Sequence, residues 1–108
     1  IKLAPNPYDN EDDDGLRISL CYIEDVVDIF TQLITREDPE VINVAGAEVL
    51  NIRSIALAIG ARLGISPQFE IGNQPRAFDL VADVTKLIGM FDPEFTPFVE
   101  GIRRTLQV

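Results

Sequence analysis

The sequence predicts an α/β fold, with a small sheet of about three short strands, at least one parallel pair and about four helices. Segments rich in β-branched residues alternate along the chain with segments whose apolar residues recur at helical spacing. Strands that alternate with helices favour a parallel pair, because the intervening helix returns the chain to the same end of the sheet. The length of 108 residues corresponds to about one small domain.

Residues 1–15 are predicted to form an irregular acidic loop region. The opening "IKLA" is compatible with a short strand, but Pro5 and Pro7 interrupt regular structure, and "DNEDDDG" repels itself into a solvated loop. The acidic run does not fit a calcium loop. Aligning Gly15 with the invariant loop glycine places Cys21 where the bidentate glutamate must lie. No metal site is therefore predicted.

A strand and a helix are predicted next. Residues 17–23, "RISLCYI", have strand composition, and a helix follows over residues 24–36 until "REDPE", where Pro39 cannot continue it. One face of this helix is predicted to be apolar, and it carries Val26, Val27, Phe30, Leu33 and Ile34 at helical spacing.

A second strand is predicted at residues 40–46, "EVINVAG", because it is rich in β-branched residues and ends at a glycine. Asn51 is a good N-cap for the helix that follows. Gly64 is expected to end that helix in a left-handed conformation. Residues 67–71 alternate apolar and polar side chains and are predicted as a third strand.

The last third is predicted to contain an extended segment reaching Val81 and two helices. Asp83 can cap a short helix, and Thr96 with Pro97 supplies an N-cap and a first position for the last one. The buried face of the last helix is predicted to consist of Phe98, Val99, Ile102 and Leu106.

Composition excludes several classes of function. The net charge of −9 repels phosphate backbones and argues against nucleic-acid binding. The chain has no histidine and only one cysteine, Cys21, which excludes Ser-His and Cys-His catalysis, histidine metal ligands and an intrachain disulfide. We expect Cys21 to be a buried structural thiol. No apolar run approaches the length of a membrane span, so the expected compartment is the cytoplasm.

Arginine is the remaining candidate for anion binding, since no glycine-rich phosphate loop is present. Arg76 follows the turn "GNQPR", and its planar guanidinium matches phosphate groups. Two roles remain open for it, a ligand contact and a surface ion pair. Arg103 and Arg104 are better explained as charges at a helix end.

Four segments, in order, carry a resemblance: "YIEDVVD", "VINVAGAEVLNIRSIA", "RAFDLVADVTK" and "EGIRRTL". Together they resemble the C-terminal part of the NAD(P)-dependent epimerases/dehydratases, the extended short-chain dehydrogenase/reductase family. The resemblance covers the chain from about residue 16 to its end. Residues 16–108 would accordingly be a substrate-binding subdomain of a Rossmann-type enzyme.

The resemblance implies that the Rossmann cofactor domain lies upstream of residue 1 and binds NAD or NADP, with a catalytic Tyr-x-x-x-Lys pair there. The pair is impossible within this chain, whose only lysines are Lys2 and Lys86, because the residue four before Lys86 is Ala82. We therefore expect no catalytic residue and no cofactor bound by this chain alone. The implied partners are a nucleotide-sugar substrate and the cofactor domain, in a full-length protein that can be a homodimer.

The resemblance also assigns residues. Arg76 corresponds to an arginine that contacts the substrate diphosphate. The resemblance places a second phosphate arginine where this chain has Ile18, one residue after Arg17, and a slip of one residue turns a strand side chain to the opposite face. Either a bulge restores the Arg17 contact or this protein lacks it, which leaves room for a carbonyl or alcohol substrate in place of a nucleotide sugar. Asn43 and Asp79 match recurrent positions, as ligand contacts or as turn and backbone hydrogen-bonding residues. The positions expected to be architectural are Tyr22, Asp25, Asp83 and Gly101.

Two other functions remain open at this stage. The chain can belong to a non-catalytic NAD(P)-binding member of the same superfamily, or be an independent acidic protein-interaction module. An independent module is expected to bury its apolar residues, whereas a subdomain separated from its partner domain should expose a large apolar surface.

Overall fold

The computed structural model describes residues 1–9, 11–37 and 40–107. Across these ranges the chain forms four short strands in two sheets and four helices, so the predicted α/β class is confirmed. The strands are β1 (Lys2–Leu3), β2 (Arg17–Ser19), β3 (Val49–Asn51) and β4 (Glu70–Ile71). The helices are α1 (Ile23–Ile34), α2 (Ile52–Leu63), α3 (Thr85–Phe91) and α4 (Phe98–Leu106).

The two sheets join distant parts of the chain. β1 pairs with β4 in parallel, so "IKLA" does contain a strand, and it contributes the buried Leu3. β2 pairs antiparallel with β3. On its other side β2 meets the predicted extended segment, where the Ser19 amide donates to the Leu80 carbonyl over 3.0 Å.

The strand predicted at residues 40–46 is wrong. These residues have no regular structure, and the strand beside β2 is instead β3. Both sides of β2 are occupied, by β3 and by Leu80, so β2 offers no hydrogen-bonding side to residues 40–46. A carbonyl in this segment is satisfied by a side chain instead, since Lys86 Nζ donates to Val41 O over 2.9 Å.

The apolar face predicted on α1 is present, but only part of it is buried. The buried residue is Ile29, which is 1% exposed, with Val26 and Leu33 half-buried beside it. The other apolar residues form a second, solvent-facing line spaced four, three and four residues apart. We call this line the outer stripe: Ile23 (66% exposed), Val27 (54%), Phe30 (49%) and Ile34 (83%). The helix ends at Ile34, and Pro39, invoked for its end, lies outside the described residues.

Local capping chemistry is confirmed at α2. Asn51 Oδ1 accepts a hydrogen bond from the Ser54 amide at 2.8 Å, as an N-cap should. Gly64 ends the helix with φ of 70°, the left-handed conformation that glycine adopts without steric cost.

The caps of α3 and α4 differ from prediction. Val84 holds the N-cap position of α3, and Asp83 instead accepts from the Thr85 amide at 3.0 Å. α4 begins at Phe98, whose amide donates to Glu48 Oε1 over 2.9 Å, so its cap comes from a residue remote in sequence. Val99 on α4 is exposed rather than buried.

The molecule is a thin slab. Its extents are 48 × 37 × 15 Å and its radius of gyration is 16.3 Å, against about 13 Å for a compact domain of this length. Its accessible surface of 7493 Å² exceeds the value of about 6,000 Å² expected for a folded monomer of this mass. A molecule this extended leaves many of its large apolar residues exposed.

Candidate functional site

The candidate site is built around Arg76, which follows β4. Its side chain is only 6% exposed. Nε donates to Asp79 Oδ1 over 2.8 Å, and Nη2 donates to Asp12 Oδ2 over 2.6 Å. Nη1 donates to the Ala4 carbonyl over 3.0 Å. All three nitrogens of the guanidinium therefore have acceptors within the protein.

Arg17 meets the same carboxylate. Its backbone amide donates to Asp79 Oδ1 at 2.9 Å, and its Nε donates to Asp79 Oδ2 at 3.1 Å. Asp79 thus bridges Arg17 and Arg76, although the strand register of the resemblance had placed Arg17 on the opposite face. We call these two arginines with Asp12 and Asp79 the Arg76 cluster. The Arg17 side chain is 54% exposed and is the most exposed member of the cluster.

Asp12 is the member that the sequence did not single out. Asn6 Nδ2 donates to Asp12 Oδ2 at 3.1 Å, and the Asn6 amide donates to the Asp12 carbonyl at 3.1 Å. These bonds close the loop between the two residues and hold the carboxylate against Arg76. The run was predicted to be uniformly solvated. One signal could have pointed to an acidic residue of this run. A buried Arg76 needs hydrogen-bonding partners for its whole guanidinium, and Asp79 alone does not supply them.

The electrostatics of the cluster follow from these contacts. Hydrogen bonds from Asn6 and then from Arg76 hold the pKa of Asp12 below its usual value. The Arg17 amide and the Arg76 side chain do the same to the pKa of Asp79. Burial alone would lower the pKa of Arg76, but hydrogen bonds to Asp12 and Asp79 outweigh burial and raise it. With two arginines and two aspartates ionised, the cluster is neutral and has no group poised to transfer a proton near pH 7.

Asn43 and Asp83 meet each other. Asn43 Nδ2 donates to the backbone carbonyl of Asp83 at 3.1 Å, which ties the irregular segment 40–46 to the start of α3. The Asp83 carboxylate bonds to Thr85, and this contact lowers its pKa. Both contacts correspond to the structural roles left open for these positions.

Tyr22, Asp25 and Gly101 fasten the start of α1 to α4. Asp25 accepts from the Thr96 amide at 2.6 Å and from the Thr96 hydroxyl at 2.8 Å. A Cβ on Gly101 would lie 3.2 Å from the Tyr22 ring, so the absence of a side chain allows α4 to pack closely there. The Arg104 guanidinium lies over the same ring, 5.7 Å from its centroid.

We expect Asp25→Ala to lower the free energy of unfolding by about 2 kcal/mol, because it removes two hydrogen bonds to a carboxylate and leaves the Thr96 groups unpaired. Urea denaturation followed by circular dichroism measures the change. The matched control is Asp28→Ala on the exposed side of α1, which should change stability by less than about 0.5 kcal/mol. Equal losses of stability in the two variants would contradict a stabilising role for the hydrogen bonds between Asp25 and Thr96.

An apolar pocket of about 350 Å³ lies where the start of α1 meets α2 and α4. Tyr22, Ile59, Phe98 and Ile102 line it, and it can accommodate a small apolar group. Cys21 also borders the pocket. Burial, and secondly the charge of Asp25, raise the pKa of its thiol, so it stays neutral and is a poor nucleophile. The sequence did not predict this pocket, because its walls come from four separate segments of the chain.

Two features are absent from residues 1–9, 11–37 and 40–107. No group of three or more cysteine, aspartate or glutamate side chains in these ranges is arranged to hold a metal ion. None of the helices in the same ranges is both long enough and apolar enough to cross a membrane.

Comparison with known proteins yields no match to this chain, whether among protein-family models, curated proteins or solved structures.

Proposed function

We propose that this chain is the substrate-binding part of an NAD(P)-dependent oxidoreductase similar to the extended short-chain dehydrogenase/reductase epimerases and dehydratases. Its cofactor domain would precede Ile1. The observation that carries the proposal is the outer stripe of α1, an apolar surface that a second layer of protein would cover. The sequence resemblance supplies the identity of that layer.

The outer stripe supports a missing layer for a physical reason. A helix at the surface of a globular protein turns its apolar face toward other protein groups rather than toward water. α1 buries Ile29 at one edge of its apolar face and leaves Phe30 and Ile34, toward the other edge, exposed. The spacing of the stripe, alternately four and three residues, is that of helices that pack along a seam with another element.

The residues that carry the resemblance also support the proposal, because they contact one another. Arg76 pairs with Asp79, and Asn43 bonds to Asp83. Positions from two of the four quoted motifs thus contact one another, as expected if the motifs belong to one inherited architecture.

The proposed division of labour assigns binding to this chain and chemistry to the cofactor domain. Arg17 and Arg76 would border the substrate, with Asn43 and Asp79 supporting them or touching the substrate directly. NAD or NADP supplies hydride transfer when bound to the cofactor domain, together with the Tyr–Lys pair expected there.

Two alternatives are separated by specific observations. A non-catalytic member of the superfamily would keep the glycine-rich cofactor motif upstream but lack the Tyr or the Lys. An independent interaction module was expected to expose no large apolar patch. The outer stripe argues against the module.

The experiment uses the polypeptide that begins with the residues encoded before Ile1, which we call the extended polypeptide. We expect titration calorimetry to show saturable binding of NAD⁺ or NADP⁺ to the extended polypeptide and none to the 108-residue chain. An upstream sequence without a glycine-rich strand–turn–helix, or an extended polypeptide that binds neither nucleotide, would refute the proposal.

A further inference from the structure

We propose that Asp12 excludes phosphate groups from Arg76, so that the substrate is an uncharged hydroxyl or carbonyl compound rather than a nucleotide sugar. This inference rests on the proposed function, in which Arg76 borders the substrate, and it defines the class of molecule that the site accepts.

The first argument is the occupancy of the guanidinium. Phosphate groups bind arginine bidentately, through two neighbouring N–H groups of the planar fork. On Arg76 the Nε group bonds to Asp79 at 2.8 Å and the Nη2 group bonds to Asp12 at 2.6 Å. Two carboxylates therefore already lie along the side-on edge of the fork that a phosphate would use.

The second argument is that Asp12 is held in place. Its carboxylate accepts from Asn6 Nδ2, and its carbonyl accepts from the Asn6 amide, both at 3.1 Å. The Arg76 amide also donates to the Pro5 carbonyl at 3.0 Å. An incoming phosphate would have to displace Asp12 from Arg76 and from Asn6 together.

The third argument is charge. The positive charges of Arg17 and Arg76 are balanced within the cluster by Asp12 and Asp79. A diphosphate would meet no net positive charge there, inside a protein whose overall charge is −9. A neutral hydroxyl compound faces no such repulsion. It can donate to the carboxylates and accept from the half-exposed Arg17.

The test measures binding of UDP and of inorganic pyrophosphate to the 108-residue chain by NMR, following the side-chain Nε–H resonance of Arg76. We compare the wild-type chain with Asp12→Asn and with Glu11→Gln. The second variant removes the same charge from the same loop, but at a residue whose side chain is exposed. We expect Asp12→Asn to bind UDP at least about tenfold more tightly than either other protein, with the Arg76 resonance shifting on binding.

Two outcomes would overturn the inference. One is UDP binding at Arg76 of the wild-type chain as tight as in Asp12→Asn, and the other is no gain in Asp12→Asn. The backbone amide spectrum shows whether each variant is folded, and Asp12→Ser provides a second replacement if Asp12→Asn is not. The proposed function is tested separately, by nucleotide binding to the extended polypeptide, so a failure of one is distinguishable from a failure of the other.

Discussion

Gly46→Ala is expected to prevent the chain from reaching its folded structure. A Cβ at this position would lie 1.7 Å from the Leu20 carbonyl oxygen and 2.9 Å from the Leu20 carbonyl carbon. Both are backbone atoms at the junction of β2 with α1, so no side-chain rotation relieves the overlap. The segment around Gly46 would have to move away from that junction. We expect a loss of more than about 4 kcal/mol, comparable with the total stability of many small domains.

Gly89→Ala is the matched control for this prediction. Gly89 lies within α3, and a Cβ there would meet no heavy atom within 4 Å. Alanine is favoured over glycine in a helix by about 1 kcal/mol, so this variant should be more stable than the wild type. Urea denaturation followed by far-UV circular dichroism measures the stability of both variants, Gly46→Ala and Gly89→Ala. A Gly46→Ala protein that folds with wild-type stability would contradict the close approach.

Arg76→Ala is expected to destabilise the chain by about 3 kcal/mol. The substitution leaves the Asp12 and Asp79 carboxylates without their shared cation and the Ala4 carbonyl without its donor. Removing one partner of a buried ion pair costs about 3–5 kcal/mol, and we take the lower end because the carboxylates retain about one-fifth of their exposure. The stability of Arg76→Lys should lie between those of the wild type and Arg76→Ala, because lysine keeps the positive charge but cannot reproduce the planar fork of arginine.

The pH dependence of this loss provides a second readout. The folded-state pKa values of Asp12 and Asp79 lie below the ordinary value of 3.8. Their contribution is therefore present above pH 3.8 and is lost as the pH falls through the lowered folded-state values. The difference in stability between wild type and Arg76→Ala should be constant near neutral pH and shrink below pH 3.8. A difference that persists unchanged in acid would show that these ion pairs do not stabilise the fold.

Features decided by neighbouring residues were predictable from the sequence. The Asn51 cap depends on an amide three residues away, and Gly64 depends on its own backbone conformation. Features decided by distant partners were not. Residues 40–46 have strand composition, but Leu80 and β3 occupy both sides of β2. α4 is capped by Glu48, and nothing in the sequence near Phe98 indicates that contact.

The candidate site shows the same division. Arg76 was identified because it follows a turn and does not lie on a predicted solvated helix face, and Arg17 because it lies near a motif position. Asp12 was missed because it is one acid in a run of acids, and its selection depends on Arg76, 64 residues later. The apolar face of α1 was visible in the sequence, but only the fold shows that Ile29 is buried while the outer stripe is exposed.

The most direct test of the proposal that a cofactor domain covers α1 is the change in unfolding free energy caused by Phe30→Ser, measured in the 108-residue chain and in the extended polypeptide. Phe30 is about half exposed in the chain alone, so we expect a loss below about 1 kcal/mol there. In the extended polypeptide the loss should reach about 3 kcal/mol, because the ring would be fully buried. Ile29→Ser, on the inner face, should destabilise both proteins alike. An equally small loss for Phe30→Ser in both would contradict the proposal that a second domain packs on this helix.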